Sequence, residues 1–151
     1  MTALDSTHRA GPETTMTSTV HRTTVNPWTW QDALGYSQGV LVDAHRTLYL
    51  AGQCSTGPDG APLHPGDMAA QAQQAMANVE TVLAAAGLGL ADVVRYDVYT
   101  TDLGGYFASG HSHVAGRFAA AGPFPAGGIC AQVGALAMPG LLVEVVVTAA
   151  Q

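Results

Sequence analysis

Asp92-Val93-Val94-Arg95-Tyr96-Asp97-Val98-Tyr99-Thr100 decides the fold. Its apolar residues alternate, with Val94, Tyr96 and Val98 on one face and Arg95, Asp97 and Tyr99 on the other. That period of two predicts a half-buried strand. Upstream, Pro65-Gly66-Asp67 starts a helix with Asp67 as its N-cap. Met68, Ala72, Ala75, Met76, Val79, Leu83 and Ala86 then recur at three and four, and Gly87 stops the run. Downstream, a second helix is predicted from Tyr106 to Ala121, with Phe107, His111, Val114 and Phe118 on its buried face. Gly122-Pro123 ends it.

Tyr36 to Val42 and Thr47 to Gln53 read as two strands of a hairpin around Asp43-Ala44-His45-Arg46. Gly57-Pro58-Asp59-Gly60 is turn chemistry. Ile129 to Val133 and Leu141 to Ala149 are the last strands. The predicted order is β-β-α-β-α-β-β, an α+β two-layer domain with two helices on one sheet face. The uncovered face is expected to pack on partner subunits. Residues 1–22, polar and without periodicity, are expected to form a mobile N-terminal tail before a domain over 23–151. Asn26-Pro27-Trp28-Thr29-Trp30 is a turn with two large anchors.

The chain has 151 residues, 48% of them apolar and 11% charged, which suits one globular domain. So few charges also fit an oligomer that hides surface in subunit contacts. Five Lys+Arg, all arginine, against eleven acids give a net charge of −6. That balance argues against a nucleic-acid or anionic-membrane partner. No apolar run approaches the ~20 residues of a membrane span, and residues 1–22 carry no secretory h-region. Cys54 and Cys130 have neither metal-ligand nor disulfide-framework spacing, so a cytoplasmic, reduced setting is expected.

A series of local signatures resembles the RidA (YjgF/YER057c/UK114) family. They are Gly35-Tyr36-Ser37-Gln38-Gly39-Val40, Ala51-Gly52-Gln53, Ala70-Gln71, Asn78-Val79, Ala85-Ala86-Gly87-Leu88 and Asp92-Val93-Val94. Val98-Tyr99-Thr100-Thr101-Asp102-Leu103, Phe107, Pro125-Ala126 and Leu142-Val143-Glu144-Val145 follow. Each is weak alone, but their order over roughly residues 24–150 is specific. The resemblance implies a chorismate-mutase-like fold and a homotrimer with clefts between subunits. In the deaminase branch those clefts hydrolyse enamines and imines without a cofactor. It also implies an arginine after the Pro-Ala pair to grip the substrate carboxylate, a glutamate near the C-terminus for water, and a tyrosine and a cysteine lining the pocket. Tyr36, Cys130 and Glu144 match by position. The arginine does not: Gly127 or Gly128 stands in its place, and no arginine follows Arg117.

Glu144 is the only acid after Asp102 and lies in an apolar strand, a setting that suits acid/base work or a structural hydrogen bond. His111 lies on the apolar stripe of its helix, as a core histidine or as a cleft base. His113, two residues on, faces elsewhere, so His-Ser-His is not a chelating pair and no metal is expected. Tyr36 and Cys130 are either packing or pocket residues. Gly127 and Gly128 offer backbone N–H groups to a substrate oxygen. Arg95 and Arg117 are either a relocated anion site or salt-bridge partners.

The expected function is RidA-like acid/base chemistry on a small reactive intermediate, with Glu144 and His111 catalytic. Imine or enamine hydrolysis, tautomerisation, dehydration and cyclisation all fit, within a specialised biosynthetic pathway. Tyr36, Gly127, Gly128 and Cys130 would bind the substrate, and no cofactor is implied. The alternatives are a generic imine deaminase with a relocated anion site and a non-catalytic ligand-binding trimer.

Overall fold

A computed structural model describes residues 21–151. Its strands are β1 (His21–Val25), β2 (Gly39–Asp43), β3 (Thr47–Tyr49), β4 (Gln53–Cys54), β5 (Val93–Thr100), β6 (Ala126–Gln132) and β7 (Val143–Ala150). Its helices are α1 (Met68–Ala85), α2 (Leu103–Gly105) and α3 (His111–Ala121), and a π-turn (Tyr106–Gly110) joins the last two. Of the tail expected over 1–22, residues 1–20 lie outside the described residues; His21 and Arg22 open β1.

The period-two stretch forms the central strand β5. It pairs antiparallel with β7 and parallel with β6, and β3 and β4 pair with β7 on the far side. The parallel β5–β6 step is the crossover that requires an intervening helix. Val143, Val145, Val147 and Ala149 of β7 point into the core with Tyr96 and Val98 of β5. Val93, rather than Val94, joins them, because the β5–β7 ladder slips between Val93 and Arg95.

Helix α1 supplies the other half of the core. Asp67 caps it by accepting from the Ala70 N–H at 2.9 Å. At its C-terminus the Gly87 backbone takes a φ of 73° and the Leu88 N–H returns to the Leu83 carbonyl at 2.9 Å. Leu83 and Leu88 are both core residues, so this left-handed glycine cap also packs apolar side chains. Met76, Val79 and Leu83 are fully buried, each contributing about 1.5–3 kcal/mol of apolar burial. Gln71 is fully buried too. Its Nε2 donates to the His64 and Gly140 carbonyls at 3.1 and 2.7 Å, and its Oε1 accepts from Leu142 N–H at 2.7 Å. One side chain thus ties α1 to the segment entering β7.

The architecture is the expected α+β sheet with helices on one face, with corrections of detail. The hairpin does not form: β2 pairs with β1 in a separate two-stranded sheet, and β3 pairs with β7. The edge of β7 needs covering, and Thr47–Tyr49 reaches it. Phe107 is not on the buried face. It is 58% exposed, and Tyr106 is buried instead. The π-turn carries one residue more per turn than an α-helix, so the 3.6-residue phase set by Val114 and Phe118 does not extend back through it. The strand placed at Ile129 begins at Ala126, through both glycines.

Candidate functional site

The π-turn, β5 and β6 enclose a cavity of about 340 Å³ lined by Leu34, Tyr36, Tyr96, Val98, Tyr106, Phe107, His111 and Cys130. Each wall follows from local structure. Tyr96 and Val98 are on the inward face of β5, and Cys130 is paired with Val98 in register. The π-turn brings Tyr106, Phe107 and His111 together. The His111 ring lies 5.5 Å from Phe107, tilted by 38°, and 5.9 Å from Tyr106, edge-on at 87°. Trp30, itself exposed, contacts Tyr36 edge-on at 6.3 Å.

A second cavity of about 300 Å³ continues along β6, lined by Tyr36, Gln38, Tyr96, Gly127, Gly128, Ile129 and Cys130. The two glycines serve different neighbours. A Cβ at Gly127 would stand 2.6 Å from the Tyr36 ring, whereas one at Gly128 would fall on the Asp97 carboxylate and 2.8 Å from Arg95 Nη2. The β5–β6 register shifts here, between Tyr96 and Val98, forming a bulge. The Ile129 N–H at that bulge donates to Asp97 Oδ1 at 2.6 Å. Asp97 also accepts from Arg95 Nε and Nη2, at 3.2 and 2.9 Å. Burial raises the Asp97 carboxyl, but the Arg95 and Ile129 hydrogen bonds and the Arg95 charge outweigh it, so the group lies below its ordinary value.

Tyr36, His111 and Cys130 are therefore brought together, and Gly127 and Gly128 adjoin them. Glu144 is not. Val143 and Val145, its neighbours along β7, are fully buried under the helices, so Glu144 points to the opposite sheet face. There it is cross-strand partner to Cys54 and Tyr99, and its carboxylate closes over Gly52, where a Cβ would stand 2.8 Å from its Cγ. Burial first, then the Glu144 charge and hydrogen bond, push the Cys54 thiol up to about 12. Partial shelter of its sulfur in the cavity wall raises Cys130 too, although the residue is exposed, and burial with added contributions from Cys130 and Tyr36 lifts the Tyr96 hydroxyl to about 12. Both pocket groups thus stay protonated near neutrality. His113 turns away to α1, where Gln73 Nε2 approaches its Nδ1 at 3.2 Å.

The described arginines are all engaged. Arg95 is held by Asp97, and Arg117 pairs with Glu80 at 2.8 Å. Arg22 donates to the Ala91 and Pro123 carbonyls, and Arg46 to Gln151 and the Ala86 carbonyl. None lines either cavity. Leu34, Gln38, Tyr96, Val98, Tyr106, Phe107 and Ile129 were missed as site residues. Tyr96 and Val98 had a sequence signal in their inward period and Phe107 in its helical one, but the others did not. Among the described residues there is no cluster of three or more His, Cys, Asp or Glu able to hold a metal ion, and no helix is long and apolar enough to cross a membrane.

Solved structures share this fold. A Yersinia pestis protein of the conserved Rid family, YyfB, is 34% identical with a TM-score of 0.75, over 86% of this chain and 98% of its own. The Escherichia coli protein TdcF, solved with bound serine, is 29% identical with a TM-score of 0.62, over 77% of this chain and 87% of its own. Among curated relatives, DfrA of Myxococcus xanthus is 44% identical over 47% of this chain and 54% of its own length. A 2-iminobutanoate/2-iminopropanoate deaminase of Bos taurus is 43% identical over 45% and 48%. The chain thus spans about half the length of the curated relatives it matches. The Endoribonuclease L-PSP family profile matches residues 30–151. With the same sheet, the same helix placement and that profile over most of its length, the chain belongs to this family, known also as RidA or YjgF/YER057c/UK114.

Proposed function

We propose that the protein hydrolyses an imine or its enamine tautomer by cofactor-independent acid/base chemistry. The observation that carries this reading is the meeting of Tyr36, His111 and Cys130 around one cavity in a chain of the Rid family. His111 protonates the imine nitrogen, and a carboxylate takes a proton from water as its oxygen bonds to the imine carbon. The resulting carbinolamine expels ammonia and leaves a carbonyl product. Cys130, protonated, shapes the wall and is not a nucleophile.

The carboxylate is Glu144, and its position on the far sheet face gives the homotrimer its purpose. One subunit supplies the His111 pocket and Glu144 of the partner subunit completes it. Leu41 and Tyr49, 63% and 77% exposed on β2 and β3, support burial of this surface between copies. Arg95 and Arg117 do not serve as a relocated carboxylate clamp, since Asp97 and Glu80 already hold them. A place in a specialised biosynthetic pathway accords with a changed substrate.

The test is imine hydrolysis, followed by ammonia release, in wild type and two variants. Glu144→Gln and His111→Gln should each lower turnover by about 10²–10⁴-fold while the oligomer stays intact. Full activity in Glu144→Gln would remove Glu144 from the reaction. Saturable ligand binding with no turnover of any imine by wild type would instead support a non-catalytic binding trimer.

A further inference from the structure

We infer that the pocket takes a neutral, ring-bearing imine or enamine that has no carboxylate, as formed from an aryl ketone or aldehyde. The inference rests on the imine-hydrolysis reading and deepens it by naming the substrate class.

Five observations carry it. The wall is built from the rings of Tyr36, Tyr96, Tyr106 and Phe107, with Leu34 and Val98 between them. Such a surface holds a ring by edge and offset contacts and offers a carboxylate neutral hydroxyl and imidazole donors but no guanidinium or ammonium partner to repay its desolvation. The chain has no lysine, and among the described residues each arginine is committed elsewhere and none lines the cavity. The space beside Gly127, from which a side chain could reach a carboxylate, is filled by the Tyr36 ring. At about 340 Å³ the cavity falls at the lower end of the ~300–1,000 Å³ of small-molecule sites. Phe107, 58% exposed, closes one side of it as an apolar flap.

The reaction balances with water alone: water adds across C=N, the carbinolamine loses ammonia, and a neutral aryl ketone or aldehyde leaves. That product is stable and serves as a binding probe. Acetophenone and benzoylformate differ only in a methyl against a carboxylate. Titrated into the full chain by calorimetry and by tryptophan fluorescence, acetophenone should bind at least about tenfold more tightly than benzoylformate. Its binding should perturb emission from Trp30, which touches Tyr36. Phe107→Ala should weaken acetophenone by about tenfold with an unchanged melting temperature. Equal or tighter binding of benzoylformate would overturn the inference. So would failure of acetophenone to saturate by ~10 mM, or unchanged affinity in Phe107→Ala. Preferential acetophenone binding by a wild-type protein that hydrolyses no imine would sink the reaction while the ligand class stands.

Discussion

The ring of Tyr36 occupies the space above Gly127: a Cβ on that glycine would stand 2.6 Å from Cδ2 and 2.7 Å from Cγ. Glycine at 127 and tyrosine at 36 are one feature. Gly127→Ala should cost about 1–3 kcal/mol through overpacking, read by urea unfolding. Where Tyr36 instead turns aside, the loss appears as weaker binding of a neutral aromatic ligand. Gly127→Arg should behave in the same way and gain no affinity for pyruvate. A Gly127→Arg protein as stable as wild type, with a new carboxylate site, would show that the ring is not a barrier.

Asp97 holds both the Arg95 guanidinium and the Ile129 N–H, and the two roles separate by substitution. Asp97→Asn keeps an acceptor for Ile129 and loses the charge, whereas Asp97→Ala leaves that N–H at the bulge without its partner. The alanine variant should be less stable than the asparagine variant by about 1–3 kcal/mol. The Asp97 carboxyl is depressed in the folded state. Its stabilisation is therefore present above the unfolded value near 3.9 and is lost as pH falls from there through the folded value. Chemical denaturation between pH 2 and 6 should show a shallower acid limb in Asp97→Asn.

Cys54 works in the other direction. Its thiol is raised to about 12 by burial and by Glu144, against an unfolded value near 8.5. The stability this contributes is complete below about pH 8.5 and declines as pH rises toward 12. Cys54→Ala should flatten the alkaline limb between roughly pH 8.5 and 10, before the Tyr96 hydroxyl begins to contribute. In the native protein a thiol reagent should label Cys130, which is exposed, well before buried Cys54. Equal labelling rates would contradict this placement.

Gln71→Leu removes three hydrogen bonds: the Gly140 carbonyl and the Leu142 N–H lose this partner, while the His64 carbonyl keeps the Asp67 N–H. The expected loss is about 2–4 kcal/mol in urea unfolding, more than an exposed Gln73→Leu on the same helix. Similar stability in both variants would mean that water replaces the Gln71 bonds.

The elements were legible where periodicity and caps agree. The alternation in β5, the three-four stripe of α1, Asp67 and Gly87 each specify local structure from neighbours in sequence. Strand partners were not, because a β pattern states which face is apolar and not which edge it meets. Hence Gly39–Asp43 was paired with the wrong segment. Phe107 was misassigned because the period of a helix changes inside a π-turn, and no residue type announces that change. Gly127 and Gly128 read as backbone donors to a substrate oxygen, since only their three-dimensional neighbours Tyr36 and Asp97 show what stands against them. Positional matching named Glu144 together with Tyr36 and Cys130, but a strand's alternation puts Glu144 behind the sheet.

The π-turn over Tyr106–Gly110 also bears on how this protein tolerates change over generations. An α-helix advances 3.6 residues per turn, so excising one residue from the turn would rotate everything before it by about 100° relative to α3. Tyr106 would leave the core, and Phe107 would turn away from the rings it now meets. Point substitutions along the pocket exchange one wall for another, but a single-codon deletion here dismantles the wall. Length variation in that segment, more than residue identity, is the sensitive coordinate along which relatives would gain or lose this cavity.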